Sequence, residues 1–310
     1  DKNKMKIYNI QTDQYEQYQT SGHGKALAKG NKDAAVCTDC HGGGHEIIAR
    51  KDLGSPVYPK NVPQTCGRCH SNKKLMKAYG RDPNAVSDYM GSVHADALFV
   101  RGVSSAPQCA VCHSAHGAAP PGSKDVSQVC GNCHMNEKKY FDESAHSKLP
   151  VKSRFKECVS CHGNHSITHA TAGMYDTVCA KCHKPGSKAF LAGQAIKSEI
   201  TATDETFKKA ASSIEEADRK NLDTKPLKAQ LDMVKTDILQ TQPVTHTLSM
   251  EKIEGTLGKA KQTGLETIKA VEDLKKTVQR RKTGLLIFLL FIAVSAVTVW
   301  KLRSAYMKEL

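Results

Sequence analysis

Aromatic residues are scarce, at 5 % of the chain, and residues 1–187 are poor in large apolar side chains of any kind. Such a polypeptide has too little surface to bury to offset the entropy of its own ordering. A core made only of side chains is therefore excluded there. The first thirty residues hold no apolar run, and the chain opens at Asp1. The expectation is mature numbering, with a signal peptide already removed. No cysteine stands alone, and none follows Cys182. No nucleic-acid-binding motif accompanies the formal charge of +14, which argues against a nucleic acid as the partner of this basic chain.

What is present is one motif, six times. The 12 cysteines form six copies of C-x-x-C-H: Cys37/Cys40/His41, Cys66/Cys69/His70, Cys109/Cys112/His113, Cys130/Cys133/His134, Cys158/Cys161/His162 and Cys179/Cys182/His183. Structural zinc wants paired C-x-x-C units or spaced histidines, not a histidine directly after every second cysteine. A redox dithiol would occur once, near a βαβ pattern, and disulfides impose no constant gap. The pattern reads as covalent attachment of six c-type haems. Each cysteine pair would form thioethers, and each adjacent histidine would bind iron from one face. Haem c is attached outside the cytoplasm, which agrees with export. Two propionates per haem, partly balanced by ferric iron, bring the charge closer to neutral.

Eight of the 14 histidines lie outside the motifs: His23, His45, His94, His116, His146, His165, His169 and His246. Six of them follow an internal repeat. The first unit reads SGHGKAL, CTDCHGGGH, CGRCH; the second GSVHADAL, CAVCHSAH, CGNCH; the third ESAHSKL, CVSCHGNH, CAKCH. The units span about 20–75, 90–137 and 143–187, with linkers such as APPGSKD between them. Each holds a leading histidine, a motif with a trailing histidine, and a bare motif. The stoichiometry closes at six distal iron ligands: His23, His45, His94, His116, His146 and His165. His169 and His246 are surplus, although His169 could replace His165. A trailing histidine follows its motif too closely to reach round the macrocycle, so His45, His116 and His165 should serve neighbouring haems. Met76, Met90, Met135 and Met174 are read as packing. Lysines such as those in SNKKLMK and NEKKY could meet propionates or acidic redox partners.

At about residue 188 alanine, glutamate, lysine, leucine and threonine take over. Two amphipathic helices are expected, the second with Pro226 near its start and Pro243 just past its end. A third should run from about Val244 towards 282, with Ile253, Leu257, Ala260, Gly264, Val271, Leu274 and Val278 close to a heptad. Residues 188–282 thus read as a helical stalk or bundle. GLLIFLLFIAVSAVTVW, 284–300, carries no charge and reads as a membrane span, flanked by Lys282, Lys301 and the interfacial Trp300. The span is placed at 283–302, with a cytoplasmic tail at 303–310. Lys269, Lys275, Lys276, Arg280, Arg281 and Lys282 lie on the upstream side and would by themselves draw it to the cytoplasm. Long exported domains translocate largely regardless of such charge, so residues 1–187 are placed on the periplasmic side of a bacterial inner membrane. The basic stretch then faces anionic headgroups or a partner subunit.

The runs HGKAL, CTDCHGGGH, CGRCH and CVSCHGNHSI resemble membrane-anchored multihaem c-type cytochromes of the cytochrome c3-like, doubled-CXXCH kind. The resemblance covers residues 20–187. It implies a mostly α and irregular fold packed on haem, bis-histidine iron, and electron transfer rather than catalysis. The implied partners are an integral membrane quinone-reactive or cytochrome b-type subunit, periplasmic cytochromes or reductases, and membrane lipid. Quinol dehydrogenases of this kind carry their anchor at the N-terminus, whereas this one is C-terminal. Two other classes stay open: a multihaem reductase of the nitrite, hydroxylamine or sulfite type with one open haem, and an extracellular electron conduit.

Overall fold

A computed structural model describes residues 2–8, 11–119, 126–150 and 155–309. Among these residues there are helices and turns but no strand. The chain divides into two compact units, Asp1–Cys182 and His183–Leu310.

The first unit is a succession of short helices joined by turns. Its buried apolar side chains are few: Ala34, Val62, Met76, Tyr89, Ala95, Leu98, Ala106 and Phe141 among the described residues. A backbone device recurs with the repeat. Ser21, Ser92 and Ser144 each stand two residues before a leading histidine, and each is buried. Their hydroxyl oxygens accept from the backbone N–H of Gly24 at 2.9 Å, Ala95 at 3.2 Å and Ser147 at 3.3 Å. Ser21 and Ser92 are N-caps that open the short helix bearing the histidine, while Ser144 makes the equivalent bond just ahead of the turn His146–Lys148. An aromatic ring stands three residues earlier still. Tyr18 donates to the Ala35 carbonyl at 2.9 Å and Tyr89 to the Pro107 carbonyl at 3.0 Å. Both acceptors lie two residues before the first cysteine of a motif. In the third unit the aromatic is Phe141, which has no hydroxyl and stacks on Phe155 at 6.3 Å. Most of the linker at 119–125 lies outside the described residues.

The second unit is built on three helices, α1 (Lys188–Arg219), α2 (Lys225–Val244) and α3 (Met250–Glu309). Heptad positions are buried on all three. They are Ile196, Thr203, Ala210 and Ala217 on α1, Leu227, Val234 and Thr241 on α2, and Ile253, Ala260, Thr267 and Val271 on α3. Seven-residue spacing keeps one seam facing its neighbours. At one end Ile214, Ala217, Leu227 and Val271 form a cluster flanked by Leu222, Leu231, Ala270 and Leu274. Gly264 lets α1 and α3 approach, since a Cβ there would lie 2.9 Å from the Thr206 methyl. Ion pairs join the same two helices, Lys261 to Glu199 at 3.0 Å and Lys275 to Glu216 at 2.6 Å.

Two boundaries differ from the sequence reading. Pro243 lies in the last turn of α2. There its ring has no N–H to give the Leu239 carbonyl, and the chain turns off through Thr245–Thr247 and a left-handed Leu248 with φ 53°. The third long helix therefore starts at Met250, not Val244. It then runs without a break through 284–300 and the basic tail to Glu309. It is long and apolar enough to cross a membrane, and its apolar window is entirely unburied.

Candidate functional site

Each first motif of a repeat is a five-residue helix that starts on its first cysteine and ends on its histidine: Cys37–His41, Cys109–His113 and Cys158–His162. Each is followed by the same backbone corner. Gly42 has φ 89° and ψ 178°, Ser114 φ 66° and ψ 157°, Gly163 φ 75° and ψ −177°. That region is nearly reserved for glycine. The corner turns the chain away from the motif before the trailing histidine is reached. The bare motifs are less regular. Cys66–His70 closes the helix Val62–His70, whereas Cys130 lies near the end of one helix and His134 caps the next.

The histidines meet in pairs. His23 faces His70 with ring centroids 6.1 Å apart, His41 faces His116 at 6.0 Å, His94 faces His134 at 6.3 Å, and His113 faces His165 at 5.9 Å. Every pair joins one motif histidine to one histidine outside the motifs. A metal–imidazole bond is about 2 Å, and the ring centre lies roughly 1 Å beyond the bonded nitrogen, so two imidazoles trans on one metal stand about 6 Å apart. The spacing therefore fits an iron between each pair. Ring distance by itself does not mark these pairs, since Phe141 and Phe155 also stand 6.3 Å apart; what marks them is that all four join a motif histidine to one outside the motifs. Among the described residues no three or more His, Cys, Asp or Glu side chains converge at metal-binding distance. Their convergence is pairwise, and a porphyrin supplies its own four equatorial nitrogens.

The pairs obey a register. A leading histidine meets the bare motif of its own unit, as in His23–His70 and His94–His134. A trailing histidine meets the first motif of the preceding unit, as in His116–His41 and His165–His113. A backbone bond repeats with the same step. Gly22 N–H donates to the Ala118 carbonyl at 2.8 Å, and Val93 N–H to the Ile167 carbonyl at 2.9 Å. In both, the donor directly precedes a leading histidine and the acceptor lies two residues after a trailing one. Cysteines of adjacent units also lie close enough to perturb one another: Cys66 with Cys109, and Cys130 with Cys158. All 12 cysteines are free of disulfides.

The second cysteines of these bare motifs are placed differently from the first. Cys69 and Cys133, read from the sequence as haem attachment points, are both exposed, whereas Cys66 and Cys130 are half-buried. Neither Cys69 nor Cys133 joins the contacts between units. The reason is local. Cys69 lies in the last turn of Val62–His70, and Cys133 in the turn between Val126–Gly131 and Met135–Asp142, where the chain leaves one helix for the next. Their assignment to thioethers thus rests on the motif spacing, not on any contact that they make. Cys37, Cys112 and Cys182 are exposed as well.

Burial pushes His23, His41, His70, His94 and His165 below the ordinary imidazole value. The facing imidazole adds to the effect for His41, His70, His94 and His165. Neutral imidazole is the form that binds metal. Burial likewise raises the Cys40, Cys161 and Cys179 thiols.

The remaining candidates are placed differently. His45 is exposed and joins no ring pair among the described residues, and it stands one residue further from its motif than His116 and His165 do from theirs. His146 stacks on Phe155. His183 lies across the boundary between the two units. His169 is exposed, and the His246 ring nitrogen Nδ1 stands 3.1 Å from the Pro243 carbonyl. The sequence reading missed the serine caps and the aromatic anchors. Their signal was there to find: Tyr or Phe, two residues, Ser, one residue, His, in all three units.

No family model, no curated protein and no solved structure matches this chain.

Proposed function

We propose that this chain is a membrane-anchored hexahaem c-type cytochrome. It would serve as the electron-transfer subunit of a respiratory membrane complex, relaying electrons between a quinone-reactive membrane partner and periplasmic redox proteins. One observation carries the reading: four histidine pairs at 5.9–6.3 Å, each joining a C-x-x-C-H histidine to one outside the motifs. The haems, once bound, supply the one-electron chemistry. The polypeptide does the rest. The cysteine pairs fix each group covalently, the exposed Cys69 and Cys133 among them, and the motif histidines hold iron from one face. His23, His94, His116 and His165 close the opposite face at four of the six sites. A face closed in this way leaves a substrate no open position without displacing a ligand, so these four sites suit a carrier.

The cross-unit pairs have a structural consequence as well. His116 and His165 tie each unit to the one before it, so ligation and packing order the units together. The long apolar helix of α3 suits an anchor that holds the unit at a membrane surface. Its apolar segment 284–300 carries no ionisable side chain, so quinone chemistry is assigned to another subunit.

The test is haem quantitation with low-temperature EPR on one air-oxidised sample. Six haems per chain with at least four low-spin support the reading. Zinc in place of haem, or haem mostly high-spin, overturns it.

A further inference from the structure

The bare motifs of the first two units match in geometry and differ in charge. In each, the motif histidine faces the leading histidine of its own unit, His70 with His23 at 6.1 Å and His134 with His94 at 6.3 Å. Each lies beside the first motif of the following unit, Val62–His70 packing on Cys109–His113 and Val126–Gly131 on Cys158–His162. Three equivalent positions nevertheless carry different charges: Arg68 against Asn132 between the cysteines, Lys73 against Glu137 three residues after the histidine, and Gln108 against Glu157 directly before the following motif. All three changes run towards negative charge at the Cys130 site. Arg68 Nη2 donates to the Asp39 carbonyl at 2.6 Å, a neutral acceptor that leaves the guanidinium charge uncancelled, and Arg68 lies near enough to act on Cys66. Arg81 acts on His70 of the same motif. The Glu157 carboxylate accepts from the Ser127 N–H at 2.6 Å and acts on Cys130. Its backbone stands at φ 48° and ψ −133°, a sparsely populated region for glutamate, where Gln108 is extended. Glu137 Oε2 lies 3.9 Å from His134 Nδ1, the nitrogen left free when Nε2 takes a metal. Lys138 folds over Gly131, but its ammonium is paired with Asp142 at 2.6 Å.

We propose that these charges split two haems of like ligation, so that electrons leave the one at Cys130 and Cys133 and collect on the one at Cys66 and Cys69. Cations favour the ferrous form, which carries one positive charge fewer, and carboxylates favour the ferric form. Cys66 and Cys130 are half-buried, where such charges are less screened than in open water. One electron passes from ferrous iron held by His134 and His94, which becomes ferric, to ferric iron held by His70 and His23, which becomes ferrous; no bond breaks and no proton moves. The route lies through the Cys109 and Cys112 site, since Cys66 is close to Cys109 and Cys112 to Cys130. The relay therefore runs towards the first unit. Electrons from the quinone-reactive partner enter at the second or third unit, and the periplasmic redox protein draws them from the first. The inference rests on the haem reading above and gives it a direction.

The experiment is a redox titration of the full holoprotein at neutral pH, followed haem by haem by NMR, with haem counted and spin state read on the same samples. In the wild type the haem of Cys66 and Cys69 should be reduced before that of Cys130 and Cys133. Glu157→Gln keeps an acceptor for the Ser127 N–H and removes the charge. It and Glu137→Gln should each raise the midpoint of the Cys130 and Cys133 haem and leave that of the Cys66 and Cys69 haem in place. Arg68→Gln should lower the Cys66 and Cys69 haem and leave the other. Both haems should stay low-spin in every variant, which a loss of ligation or fold would not allow. Two haems that titrate together or in the opposite order in the wild type overturn the proposal, as does a gap between them that none of the variants narrows. Should one variant lose haem, the other two decide. A haem count well below six, or either of these two haems high-spin in the wild type, would instead fail the underlying reading and the direction with it.

Discussion

The two units of this chain are helical for different reasons. Between residues 183 and 282, eleven apolar side chains are buried on three long helices. Among the described residues of Asp1–Cys182, a longer stretch, only eight are buried, three of them alanine. The bundle is held by its own side chains. The first unit has caps, corners and paired histidines, but too few buried apolar groups to account for its order. Secondary structure alone would call both units all-α. The second unit buries its own apolar side chains on a heptad seam, whereas the first buries few, as a frame built around the proposed haems would.

The sharpest way to break that comparison is to withhold the filler. Expressed without haem attachment, the full chain should lose its structure in 1–182 and keep it in 188–282. Limited proteolysis with circular dichroism checks this: cuts should spread through the motif region while the long helices stay protected. A protease-resistant first unit in the haem-free chain would show that its side chains suffice.

A single ligand is the next largest effect, and it tests the register. His116→Ala should leave one haem in six high-spin, and the affected haem should be that of Cys37 and Cys40, one unit away, not that of Cys109 and Cys112. Haem-resolved NMR of the variant makes the distinction. His116→Met should restore a low-spin iron at higher potential. The bundle supplies the counterpart. Ile214→Ala opens a cavity in the cluster with Leu227 and Val271 and should cost about 2–5 kcal/mol. It should lower the thermal midpoint of the helical signal while the haem spectrum stays unchanged.

Much of this contrast was legible beforehand. Cysteine spacing marked six candidate sites, since thioether chemistry would fix such a gap, and the heptads of 188–282 marked the bundle because helix geometry fixes the period. Counting histidines gave the number of candidate ligands. Repeat analysis also pointed His116 and His165 at neighbouring haems, since so short a tether cannot round a macrocycle. Which neighbour each one meets depends on how units stack, and that is a tertiary fact. The exposure of His45, and that of Cys69 and Cys133 beside their half-buried motif partners, belongs to the same class. The serine caps and aromatic anchors were legible yet unread, because a serine two residues before a histidine carries no chemistry until its burial is seen. The start of α3 moved from Val244 to Met250 because Leu248 adopts a left-handed turn that no periodicity reveals.

A smaller change probes the corner that aims the trailing histidines. Glycine occupies it at Gly42 and Gly163, and serine at Ser114 with φ 66°. A non-glycine residue in that region costs about 1–3 kcal/mol, and glycine's extra unfolded-state entropy returns roughly 0.5–1 kcal/mol of any relief. Ser114→Gly should therefore stabilise the first unit by about 1 kcal/mol, read as a higher denaturant midpoint for loss of the low-spin signal. A lower midpoint would mean that the serine side chain holds the corner.

The weakest effect separates the units by acid. Hydrogen bonds from Lys220 and Lys275 hold the Glu216 carboxyl down at about 2, against an ordinary value of 4.5. Its folded value lies below its unfolded one, so the stability it lends is present above about pH 4.5 and is lost as the pH falls towards 2. The pair is solvent-exposed, so salt should screen it and the loss should be slight. In the first unit the depressed imidazoles work in the same direction at higher pH. There protons compete with iron for the same imidazole nitrogens, so falling pH weakens the proposed ligation. An acid titration should thus release axial ligands first and loosen the bundle last. Lys275→Ala should shift only the second, salt-sensitive step. If that variant moved the haem transition instead, the two units would not be energetically independent, and the difference in how they are built would not extend to how they come apart.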